Sequence, residues 1–179
     1  MKEASKFIYT HEGIQFDKCR WNWIWKTSCP QKIQIFIWKC TQNRLSTCSF
    51  IAHHQYGIGP ECLWCLNLES TLHIIRDYPW AKEFWIAFLG QQEISFFHKL
   101  LLEWLHKNLT NIPPSFFQMM PGKFLFAYGI WQLWLSRNNR IFNPSFETLN
   151  QLMYKTLHLA AEFYHFSYIG VLHNPLLLL

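Results

Sequence analysis

With 179 residues, half of them apolar and only 15% charged, the chain has material for one ordinary core or two small ones, which excludes an intrinsically disordered protein. Its formal charge of +5 is unevenly spread: residues 1–45 hold eight Lys/Arg (Lys2, Lys6, Lys18, Arg20, Lys26, Lys32, Lys39, Arg44) against Glu3, Glu12 and Asp17, whereas the rest of the chain balances, eight against eight. No apolar run approaches the ~20 residues of a spanning helix, and no signal-peptide stretch follows Met1, so the expected location is intracellular, cytoplasm or nucleus, with the six cysteines as reduced thiols or metal ligands.

In chain order, the first third combines its cations with Trp21, Trp23, Trp25 and Trp38, a pairing that can hold a phosphate backbone by charge and unpaired bases by stacking. Lys26, Lys32, Lys39 and Arg44 are the candidate contacts to RNA or DNA; equally, they can be the solvated face of a helix whose Trp face is core. From Pro30, Ile33, Phe36, Ile37 and Cys40 recur at helical spacing, which predicts a helix to about Gln42 with Ser28 as its cap. A short helix from Thr47 to about His54 follows, stopped by Gly57 and Gly59-Pro60.

Beyond a loop with two cysteines, Asp77 and Pro79 open a helix on which Trp80, Phe84, Trp85 and Phe88 share a side. It should end at Gly90, where a soft boundary is placed. Residues 94–108 predict another amphipathic helix, and Asn111-Ile112-Pro113-Pro114 to Pro121-Gly122 a loop. Phe124 to Leu135 mark a further helix, expected to end in the polar stretch Arg137 to Arg140. Asn143-Pro144 should start the last one, whose Leu149, Met153, Thr156, Ala160 and Phe163 form a stripe that needs a partner.

Cys62-Leu63-Trp64-Cys65 is the most informative tetrapeptide, because two thiolates on one tight turn can both reach a tetrahedral zinc, and His73 adds a third ligand at a plausible distance. A closed structural site needs a fourth group. These residues, together with Trp25-Lys26, Pro30-x-Lys32-Ile33-x-Ile35-Phe36-x-Trp38, Leu45-Ser46-Thr47, Glu69-Ser70, Pro79-x-Ala81 and Phe84-Trp85, resemble the zinc-binding domain of reverse transcriptases from plant non-LTR retrotransposons. The resemblance implies a mainly α fold: a zinc-knuckle-like module over residues 1–89, then a helical spacer or hairpin over 90–168 with Ile130-Trp131-x-x-Trp134 and Arg137-Asn138-x-x-Ile141-Phe142, of the kind that precedes a ribonuclease H domain. Residues 169–179 are expected to form a disordered tail. In the family pattern a Cys stands directly before the Pro-x-Ala segment, where this chain has Tyr78, a poor ligand with an ordinary pKa of about 10. Asp77, His53, His54 or water are the alternatives for the fourth position, and Cys62, Cys65, His73 and Asp77 form the candidate metal set.

His158, Glu162 and His165 can share one face of the last helix, but a solvated polar stripe explains them as well. The chain has no Asp-Asp pair, no Gly-rich phosphate loop and no Gly-x-Ser-x-Gly elbow, so no enzymatic activity is expected. Three readings stay open: a non-catalytic module with nucleic-acid contact; a structural or protein-interaction module that docks on a reverse transcriptase body or on itself; and a decayed element without selected activity.

Overall fold

The computed structural model describes residues 21–55, 57, 59–89, 94–110, 120–143 and 147–172. The cations before Trp21, the boundary near Gly90, the Pro113-Pro114 loop, Pro144 and positions 173–179 lie outside them. The described chain is mainly helical: α1 (Asn22–Trp25), α2 (Gln31–Thr41), α3 (Cys48–His54), a π-helical turn (His73–Asp77), α4 (Pro79–Leu89), α5 (Ile94–Phe97), α6 (Leu101–Thr110), α7 (Gly122–Phe142) and α8 (Leu149–Leu172). The extended pairing among the described residues is an isolated antiparallel bridge between Glu61 and Leu68.

The predicted α2 is present, with Ile33, Phe36, Ile37 and Cys40 all buried, as their i, i+3, i+4, i+7 spacing requires. Pro30 itself takes the cap position, and Gln34 ties the helix start back to the Thr27 carbonyl at 2.8 Å. Thr47 caps α3 as expected, its hydroxyl accepting from the Phe50 amide at 3.1 Å. Two expected helices differ. The 94–108 segment is broken into α5 and α6, and the last helix starts after Thr148 rather than at Asn143-Pro144. Thr148 and Gln151 form a reciprocal capping box: the Thr148 amide donates to Gln151 Oε1 at 2.8 Å and the Gln151 amide to Thr148 Oγ1 at 3.3 Å. That helix reaches Leu172, so residues 169–172 of the expected tail are helical.

α7 is the organising element. Seven successive residues, Phe124 to Ile130, are buried, the mark of a helix surrounded by others rather than lying on a surface. It packs on α8, α6, α2 and the π-helical turn. Gly129 permits the close approach of α4: a Cβ there would sit 2.7 Å from the Trp85 ring. The stripe on α8 finds its partner in α7: Thr156 and Ala160 are fully buried and Leu149, Met153 and Phe163 partly so, while Leu152, outside the predicted stripe, is fully buried beside them. One hydrophobic core thus spans the knuckle-bearing part and the helices beyond residue 90, through Ile33, Ile37, Phe84, Trp104, Phe124 and Ile130.

Candidate metal centre

The loop that carries both cysteines is shaped by its backbone. The Cys62 amide donates to the Asn67 carbonyl at 2.7 Å, the Leu66 amide returns to the Cys62 carbonyl at 3.0 Å, and the Glu69 amide closes the base on the Pro60 carbonyl at 2.9 Å. Leu66 adopts a left-handed φ of 60°, a strained value for a leucine, to make the turn. His73 comes from the π-helical turn, whose amide is held by Ser70 Oγ at 3.1 Å. The wider winding is closed by the Tyr78 amide bonding back to the His73 carbonyl at 2.6 Å, and it brings residue 78 round toward the histidine, with ring centroids 5.7 Å apart.

The ligand atoms of Cys62, Cys65 and His73 lie within 4.8 Å of one another, and Cys65 Sγ is 3.3 Å from His73 Nε2. Zinc bonds of about 2.3 Å to sulfur and 2.0–2.1 Å to nitrogen separate tetrahedral ligands by about 3.5–3.8 Å, so small side-chain adjustments suffice. Among the described residues no other group of three or more His, Cys, Asp or Glu side chains meets this proximity. The chemistry of the donors fits as well. Burial pushes the His73 imidazole below its ordinary pKa, favouring the neutral, metal-binding form. Burial pushes the Cys62 thiol up, while the Trp64 and Cys65 amides, which donate to its sulfur, act in the thiolate's favour.

Asp77 stands apart from this trio. Its two carboxylate oxygens accept from Arg76 Nε at 2.7 Å and Arg76 Nη2 at 3.1 Å, and buried Arg76 also donates to the Lys99 carbonyl. His53 and His54 are exposed on α3, where His54 bonds its own helix through the Phe50 carbonyl. Tyr78 occupies the remaining side. It is buried, packs on Trp64 with centroids 5.8 Å apart, and its hydroxyl accepts from Arg140 Nη1 at 2.8 Å. Burial pushes the phenol above its ordinary pKa, with Arg140 opposing.

The family described as zinc-binding in reverse transcriptase matches residues 1–85, the span that delivers Cys62, Cys65 and His73. Residues 1–85 are thus similar to that family. Over 126 residues the chain is also 29% identical to a protein of Arabidopsis thaliana that bears the name "Putative ribonuclease H protein", covering 69% of this chain and 20% of that one. The chain therefore spans about a fifth of that relative's length. No solved structure matches.

Two arginines beside the Cys62, Cys65 and His73 cluster escaped sequence reasoning. The stretch Arg137 to Arg140, expected as a polar helix end, lies in the last turns of α7, with Arg137 buried and Arg140 half-buried. Arg137 forms a buried ion pair with Glu69, which is 0% exposed; Arg137 Nε donates to Glu69 Oε2 at 3.3 Å and Nη2 to Oε1. Glu69 Oε1 also accepts from the Cys48 amide at 2.7 Å, so one carboxylate starts α3 and anchors α7. Burial, and after it the same carboxylate, push the Cys48 thiol up to about 11, keeping it protonated beside the pair. Arg140 lies over the rings of Trp64, Trp80 and Tyr78 at 4.7, 5.5 and 5.8 Å. Glu69 belongs to a motif that carried the resemblance and Arg137 to the spacer motif that the resemblance implies, but no spacing rule pairs residues 68 positions apart.

Of the proposed nucleic-acid contacts, Lys32, Lys39 and Arg44 edge one groove with Trp131 and Trp134, while Lys26 ends α1 away from that lining. His158 and Glu162 approach to 4.0 Å on the exposed side of α8, and His165 is exposed further along it.

Proposed function

We propose that this chain is a non-catalytic, zinc-stapled helical module of a retrotransposon-derived reverse transcriptase, acting inside the cell in cytoplasm or nucleus. The observation that carries the reading is the convergence of Cys62, Cys65 and His73 on one point. Zinc there would join the loop of residues 60–69 to the π-helical turn and so fix the surface from which Glu69 holds Arg137 of α7. The carboxylates support a non-catalytic role, since Glu69, Asp77, Glu103 and Glu147 are each engaged by a cation rather than gathered around an open site. No helix among the described residues is long and apolar enough to cross a membrane.

A second reading has its own observation. The Tyr78 hydroxyl and the Arg140 guanidinium close the fourth corner with a protein hydrogen bond, which would let the module fold as a metal-free relative of its family. Thermal unfolding separates the two. If zinc is the staple, the midpoint rises with free zinc, by ~1.4 kcal/mol of stability for each tenfold excess over the dissociation constant, or several degrees for a chain of this size. Cys65→Ser should abolish that dependence. Coincident midpoints in zinc and in chelator would favour the closed, metal-free reading, in which Tyr78→Phe alone lowers the midpoint.

A further inference from the structure

We infer that the groove between α2 and α7 is a binding site for single-stranded nucleic acid, with the phosphodiester backbone held by Lys32, Lys39 and Arg44 and unpaired bases stacked on Trp131 and Trp134. The inference rests on the packing of α2 against α7 and does not depend on zinc.

The cations are placed for it. Lys32 and Lys39 are seven residues apart on α2, hence on one face and about 10 Å apart along its axis, and both are exposed. Arg44 follows immediately after the helix and lines the same groove, to which no carboxylate contributes. Charge of one sign along an open groove is the footprint of a polyanion.

The floor is aromatic and rigid. Trp131 and Trp134, one turn apart on α7, are half-buried, and the buried ring of Phe36 braces both, edge-on to Trp131 at 5.1 Å and at 6.3 Å from Trp134. The Arg137 guanidinium, already fixed by Glu69, lies 5.4 Å from Trp134. Indole faces held in place stack on any base without reading its edge. The groove volume of about 210 Å³ falls below the ~300 Å³ where small-molecule pockets begin, and the site is an open trough rather than a cavity. A threaded strand matches that shape. A duplex presents its bases edge-on within grooves, out of reach of stacking on these indoles.

Fluorescence anisotropy of the full chain with a labelled, unstructured RNA of about 12 nucleotides tests the site, alongside DNA of the same sequence and the corresponding duplex. The expected result is binding of both single strands in preference to the duplex, with a log–log salt slope of about −2 from three phosphate contacts. Lys32→Ala/Lys39→Ala/Arg44→Ala should flatten that slope and weaken binding by at least about tenfold, whereas Lys107→Ala/Lys155→Ala changes neither. Trp131→Ala should cost a further tenfold or so while leaving most of the salt slope, and its circular dichroism verifies folding. Equal binding by the parent and the triple variant, or preference for duplex, would overturn the assignment. So would dimerisation of the free chain that the triple variant abolishes, which would make a second copy the occupant.

Discussion

Arg137→Leu is expected to destabilise the folded chain by about 3–5 kcal/mol, because it strands the Glu69 carboxylate in a site with no access to water. Glu69→Leu should be at least as damaging, since it strands the guanidinium and also removes the acceptor of the Cys48 amide at the start of α3. The double change tests the physical argument. With both charges gone nothing buried is left unpaired except that amide, so Glu69→Leu/Arg137→Leu should recover most of the loss and retain a deficit of about 1–3 kcal/mol. The partly exposed pair Lys99–Glu103 provides the contrast, and Lys99→Ala should cost below about 1 kcal/mol. Urea midpoints measured on the four variants check the whole set. A single Arg137 change within 1 kcal/mol of the parent would mean that the arginine does not hold α7 to the part of the chain that carries Glu69.

Trp104→Ala should cost a similar amount, about 3–5 kcal/mol, through the cavity it leaves. Trp104 is fully buried, edge-on to Trp85 at 5.9 Å and to Phe96 at 5.2 Å, with Phe126 at 4.7 Å and the Arg76 guanidinium 5.7 Å from its ring. It therefore joins α6 to α4, α5 and α7 at a single point. Its indole N–H has no hydrogen-bond partner among the described residues, which sets up a second expectation. Trp104→Phe keeps the ring packing and removes the unpaired donor, so its cost should stay within about 1.5 kcal/mol. If phenylalanine proved as damaging as alanine, the indole N–H would have to be engaged and the packing account of this position would be wrong.

What the sequence made legible follows one physical line. Local order could be read wherever a period or a cap decides it: α2 from Ile33, Phe36, Ile37 and Cys40, and α3 from Thr47. The Cys62-x-x-Cys65 turn and His73 were legible as a candidate set because ligands to one metal are often close in sequence, and the structure brings their donor atoms within 4.8 Å of one another. What escaped was long-range or competitive. Asp77 offers an attractive carboxylate, but adjacent Arg76 claims both oxygens, and no spacing rule distinguishes a ligand from an ion-pair partner. Asn143-Pro144 carries every sign of a helix start, yet Thr148 and Gln151 form the box that starts α8. The run Arg137 to Arg140 reads as a polar helix end, although buried Arg137 and half-buried Arg140 bond to Glu69 and Tyr78 and so link residues 60–78 to α7.

The most direct test of the central claim is the zinc content of the purified chain. One equivalent is expected in the parent and in Asp77→Ala, where the metal donors are untouched, and none in Cys62→Ser. A parent chain without zinc, or an Asp77→Ala chain that has lost it, would contradict the site as built from Cys62, Cys65 and His73.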